Sequence, residues 1–82
     1  MAELLAYLAR ELVDDPAAVR VEAEERDGAL VLVLHVAPDD IGKVIGRNGR
    51  TATAIRTVVG ALSSESSLRI DFVDEFNRRP RR

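Results

Sequence analysis

The chain has 82 residues, room for one small domain, and its balance of 46% hydrophobic to 32% charged residues supports a packed core and excludes a disordered chain. It contains no cysteine, which excludes a disulfide framework, a thiolate metal site and a cysteine nucleophile. The net charge of −2 hides a division, with three basic residues against ten acidic over 1–41 (net −7) and nine against four over 42–82 (net +5), an asymmetry that points to a polyanion-binding surface in the second half.

Leu4, Leu5, Leu8 and Leu12 recur at helical spacing among Glu3, Arg10 and Glu11, which predicts an amphipathic helix over 2–14. Asp14-Asp15-Pro16 ends it, because proline disfavours helical geometry in the residue before it. Val19 to Glu24 is apolar at every second position, the pattern of a half-buried strand. Asp27-Gly28 is a hairpin turn into a second strand, Leu30 to Val36. Leu30, Leu32, Leu34 and Val36 face one side of that strand, and Val31, Val33 and His35 the other.

Pro38-Asp39-Asp40 opens a short helix to Ile45, with the aspartates suited to cap its positive end. Gly46-Arg47-Asn48-Gly49 interrupts it, and a longer helix follows to Leu62 with Ala52, Ile55, Val58, Val59 and Leu62 in one stripe. Ser63 to Ser67 reads as a polar loop. In the third strand Leu68, Ile70 and Phe72 alternate with Arg69, Asp71 and Val73. Residues 77–82, Asn77-Arg78-Arg79-Pro80-Arg81-Arg82, have no apolar content and are expected to form a mobile basic tail after a domain spanning 1–76.

This order predicts an α+β two-layer sandwich, in which one apolar sheet face lies under three helices. The second and third strands are joined through helices, so they are expected to pair in parallel. The outer face, with Arg20, Glu22, Glu24, Arg69 and Asp71, is expected to be polar and wet, with His35 a surface residue on it. Val31 and Val33 on that face read either as surface residues or as part of a subunit contact. The longest apolar run, Ala29 to Leu34, is far below the roughly 18 residues of a membrane span. No basic region followed by an apolar stretch opens the chain, so a cytoplasmic protein without a membrane partner is expected.

Ile41 to Arg50 holds the most specific signal. Two glycines three residues apart at a helix-to-helix junction allow a sharp turn and close backbone approach to another molecule. The start of the second helix favours an anion, and Lys43, Arg47, Arg50 and Arg56 are expected to cluster there. A phosphate backbone suits such a site better than a neutral ligand. No Gly-Lys-Ser/Thr follows the loop and no G-x-G-x-x-G is present, so neither a P-loop nor a dinucleotide fold is indicated. The carboxylate pairs Asp14-Asp15 and Asp39-Asp40 sit at helix boundaries, where stop and cap roles suffice. No nucleophile–base–orienter set can be assembled, so neither catalysis, a cofactor, a metal nor a small-molecule substrate is expected.

Val44-Ile45-Gly46-Arg47-Asn48-Gly49 resembles the V-I-G-x-x-G signature of KH domains, whose loop clamps about four nucleotides of single-stranded backbone. With the Pro38 to Lys43 lead-in and the Ala54 to Val59 continuation, nearly the whole chain is similar to the bacterial single-KH RNA-binding proteins of the KhpA type. The resemblance implies a type II KH fold and single-stranded RNA as partner. Gly46 and Gly49 would then approach phosphate, Arg47 and Asn48 would face the backbone, and Lys43 and Arg50 would flank it. Ile45 would help floor the groove for bases, with the second strand as its other wall. Ala52 departs from the large aliphatic residue common three positions after the second glycine, and Ile55 is expected to fill that space. The resemblance also implies RNA chaperone or post-transcriptional roles in growth and cell division. It further implies a homodimer or a heterodimer with a second KH-containing protein, so a protein-assembly scaffold is the competing reading.

Overall fold

A computed structural model describes residues 1–63 and 67–74. Its elements are α1 (Ala2–Leu12), β1 (Arg20–Arg26), β2 (Ala29–Val36), α2 (Ile41–Ile45), α3 (Arg50–Leu62) and β3 (Leu68–Asp74). Single 3-10 turns at Pro16–Ala18, Pro38–Asp40 and Arg47–Gly49 link them. The expected basic tail, and the last two residues of the expected 1–76 domain, lie outside the described residues.

The sheet has the order β1-β2-β3. Strands β1 and β2 form an antiparallel hairpin with Val21 opposite Leu34. The turn is Asp27-Gly28, both at positive φ, as such a two-residue hairpin requires. β2 and β3 pair in parallel with Leu32 beside Ile70 and Leu34 beside Phe72. A parallel neighbour needs a crossover, and α2 and α3 supply it. This is the α-β-β-α-α-β arrangement of a type II KH fold, with a mixed three-stranded sheet under three helices.

One core lies between the layers. Leu32, Leu34, Val36, Ile70 and Phe72 from the sheet meet Leu5 and Ala9 of α1, Val44 of α2, and Ala52, Ile55 and Val59 of α3. Ile55 and the small Ala52 are both buried in this core. The helical stripes are narrower than the sequence predicts. α1 is centred on Leu5 and Ala9 with Leu4 and Leu8 at its flanks, while Leu12 is exposed. On α3, Val58 and Leu62 also face solvent, because a three-stranded sheet is too small to cover the whole stripe.

The outer face corrects a second expectation. It is not uniformly wet: Val31, Val33 and Val73 form a separate buried cluster there, and His35 is 3% exposed. The neighbours of Val31 are Glu24 and Arg69, and those of Val33 are Glu22 and Asp71. Long charged side chains therefore stand on both sides of the central-strand valines, where their stems can cover apolar surface. Those side chains pair along each strand, Arg20 with Glu22 at 3.2 Å, Arg26 with Glu24, and Arg69 with Asp71 at 3.4 Å. His35 is held by its Nε2 at 2.9 Å from Glu22 Oε1. The valines thus expose little area of their own.

Candidate nucleic-acid interface

α2 is five residues long and hangs on a buried residue, Val44, with Ile41 and Ile45 half-buried against the core. It packs on α3 and β3. The strand beside α2 is therefore the edge strand β3 rather than the central strand β2 that was expected to face Ile45.

Neither Asp39 nor Asp40 caps α2 through its side chain. Asp40 turns inward instead, is 2% exposed, and accepts the Asp15 N–H at 3.0 Å. This ties the connection after α1 to the start of α2, across 25 residues of sequence. Lys43 Nζ lies 3.7 Å from Asp40 Oδ1 and 3.4 Å from Asp14 Oδ2. The contact with Asp14, followed by the Asp14 charge, holds the lysine pKa above its ordinary value.

The glycine loop leaves α2 where the Gly46 N–H donates to the Gly42 carbonyl at 2.8 Å. Gly46 then takes φ 78, ψ 170, a conformation essentially closed to other residues. A Cβ placed there would lie 2.3 Å from Thr51 Oγ1 and 2.8 Å from the Thr51 backbone nitrogen. The loop backbone is therefore seated directly on the first turn of α3. The Gly49 N–H closes a single turn on the Gly46 carbonyl at 3.1 Å. Asn48 at φ 57 and Gly49 at φ 74 are both left-handed, a region that asparagine tolerates better than most side chains. With three of its four residues at positive φ, the loop turns tightly enough to present Arg47 and Asn48 outward, and both are exposed.

α3 starts without a side-chain cap and without an acidic residue in its first turn. Its positive dipole end meets Arg50 rather than a carboxylate, while the Arg50 N–H turns back to the Arg47 carbonyl. Such an arrangement disfavours the isolated helix and favours a bound anion. Arg47 and Arg50 are exposed, and neither has an ion-pair partner among the described residues. Arg56, expected in the same cluster, is elsewhere. Its guanidinium lies 5.0 Å from the Phe72 ring centroid and donates to the Ile70 carbonyl at 3.3 Å, because two helical turns carry it from the loop to the β3 side.

The structure thus brings Ile45, Gly46, Arg47, Asn48, Gly49 and Arg50 into one continuous edge, with Arg47, Asn48 and Arg50 exposed and Ile45, Gly46 and Gly49 half-buried, and with Lys43 beside it but engaged by two carboxylates. Sequence reasoning missed Thr51 as the support under Gly46 and the Asp14–Lys43–Asp40 contact. Asp14 carried a signal only as a helix stop, and its spatial neighbour lies 29 positions away in the chain. Among the described residues no group of three or more His, Asp or Glu side chains is placed to hold a metal ion.

A model of the KH domain of KhpA and KhpB matches residues 2–73. The chain is 49% identical over 74 residues to the RNA-binding protein KhpA of Streptomyces coelicolor, covering 90% of this chain and 92% of that one. It is 43% identical over 74 residues to the RNA-binding protein KhpA of Mycobacterium tuberculosis, covering 90% and 91%. To the protein of the same name from Treponema pallidum it is 48% identical over 67 residues, covering 82% and 84%. No solved structure gives a significant match. With its type II topology, its Gly-x-x-Gly loop between two helices and a family match over nearly its whole length, the chain belongs to the KhpA/KhpB KH-domain family.

Proposed function

We propose that the chain is a non-catalytic RNA-binding protein that clamps short single-stranded RNA at the Gly46–Gly49 loop. The observation that carries the reading is the pair of arginines without an ion-pair partner among the described residues, Arg47 and Arg50, at a helix start without a side-chain cap behind a glycine backbone. Gly46 and Gly49 give phosphates access to the main chain, Arg47 and Asn48 contact the backbone, and Lys43 and Arg50 flank it. Ile45 contributes apolar surface for bases. Tyr7 is the one exposed aromatic residue among those described, and it lies on α1 rather than on the loop or the helices that flank it. Recognition without ring stacking leaves backbone clamping and aliphatic contact, so sequence selectivity is weak. The names of the relatives support RNA as the ligand. A chaperone or post-transcriptional role in growth and cell division, exercised in the cytoplasm, fits a clamp of this kind.

Crosslinking to a labelled single-stranded RNA tests the site. Arg47→Asp with Asn48→Asp should abolish crosslinking at moderate salt while the circular dichroism spectrum stays native. Retained crosslinking places the RNA elsewhere.

A second reading, assembly through the KH fold, is favoured by the apolar residues left on α3, where Val58 is 44% and Leu62 62% exposed. In that reading the helical layer, rather than the covered outer sheet face, joins two copies or a second KH-containing protein.

A further inference from the structure

The basic residues of the loop region are not equivalent. Arg47 and Arg50 have no acidic partner among the described residues, whereas Lys43 has two. Its ammonium group lies 3.4 Å from Asp14 Oδ2 and 3.7 Å from Asp40 Oδ1, within ion-pair range but longer than the roughly 2.7–2.9 Å of a direct ammonium–phosphate contact, so a phosphate oxygen could approach it more closely than either acid does. The two acids differ in kind. The Asp40 side chain is 3% exposed and fixed by the Asp15 N–H, so it cannot swing away. The Asp14 side chain is 82% exposed and Lys43 itself 43% exposed, so this half of the contact opens freely to solvent and to a competing anion. The raised pKa of Lys43, caused first by Asp14, is consistent with a lysine whose positive charge is already answered within the chain.

We propose that Asp14 occupies Lys43 in place of an RNA phosphate, so that the Asp14–Lys43–Asp40 contact is a built-in competitor that weakens the grip of the loop on RNA. The proposal rests on the loop being the RNA site. An RNA strand passing Gly46–Gly49 must draw Lys43 away from Asp14 to gain a phosphate contact, while Asp40 keeps the lysine near the strand. Removing Asp14 should therefore convert Lys43 from a masked to an available cation. Arg47 and Arg50, which have no such competitor, should be unaffected.

Fluorescence anisotropy with a labelled 12-nucleotide single-stranded RNA, read over a series of salt concentrations, tests this. Asp14→Asn should bind about two- to fivefold more tightly at low salt. Its log–log salt dependence should steepen by about 0.7, the counterion release of one further phosphate contact on a single strand. In the Lys43→Gln background Asp14→Asn should add nothing. Glu11→Gln, which removes an equal charge from exposed α1, should leave the salt slope unchanged. The proposal is overturned if Asp14→Asn matches Glu11→Gln, or if its gain persists without Lys43. Arg47→Asp with Asn48→Asp is measured alongside. Loss of binding there with no gain from Asp14→Asn refutes the competitor alone, whereas undiminished binding refutes the loop as the site.

Discussion

The two glycines of the loop serve different physical ends, and alanine at each position should separate them. At Gly46, φ 78 and ψ 170 lie in a region that only glycine occupies readily, which costs another residue about 1–3 kcal/mol. The new methyl would also meet Thr51 Oγ1 at 2.3 Å, Thr51 Cβ at 2.7 Å and the Thr51 nitrogen at 2.8 Å. A rotamer change could move the hydroxyl but not the backbone nitrogen, so overpacking adds about 1–3 kcal/mol. The total of about 2–6 kcal/mol is a large share of the stability of a domain this size, roughly 4–12 kcal/mol. At Gly49, φ 74 and ψ 14 are left-handed helical and a Cβ would meet nothing within 4 Å. The cost there is the left-handed penalty alone, about 1–2 kcal/mol. Since 1 kcal/mol shifts Tm by about 4–8 °C at this chain length, Gly46→Ala should lower Tm by about 8 °C or more and Gly49→Ala by about 4–16 °C, about two to three times less than Gly46→Ala at the same conversion. Thermal melts followed at 222 nm read the difference. Equal shifts, or a Gly46→Ala variant that melts with the parent, would refute the seating of the loop on Thr51.

Asp40→Ala should destabilise the fold by about 1–3 kcal/mol in urea melts, since it strands the Asp15 N–H, and Asp40→Asn should cost less because its amide oxygen still accepts that bond. Lys43 has a pKa raised above 10.5, so the stabilisation it contributes is complete below that pH and is lost as pH rises through the raised value. Lys43→Gln should therefore flatten the alkaline limb of the stability profile, measured by denaturation between pH 9 and 12. Leu62→Lys, at a position 62% exposed, should change folding stability by no more than about 0.5 kcal/mol. If α3 joins two copies, the same variant should shift sedimentation toward the monomer. An unchanged profile would remove this face from any self-association.

Local signals were enough for the elements and for the loop. Alternation at Leu30, Leu32 and Leu34 and at Leu68, Ile70 and Phe72 reports the strand period directly, so the inner sheet face was legible residue by residue. Asp27-Gly28 and Gly46 to Gly49 were legible because positive φ restricts the choice of residue within the turn itself. Arg47, Asn48 and Arg50 became candidates through those glycines. The arginine cluster was overdrawn at Arg56, because closeness in sequence does not tell which way successive helical turns face.

What the chain alone determined was therefore its periodicities, its turns and the chemistry of one glycine loop, all of them properties of residues within a few positions of one another. Tertiary structure decided the rest. The valines and His35 on the outer face are buried because charged neighbours on both flanking strands stand beside them, a fact of register rather than of alternation. Thr51 makes Gly46 indispensable only because α3 turns back under the loop. The charge division of the sequence survives as Arg47 and Arg50, but it is cancelled at Lys43, which the fold carries to Asp14 and Asp40. Coulomb attraction depends on distance in space, so where the two halves cancel is set by the fold.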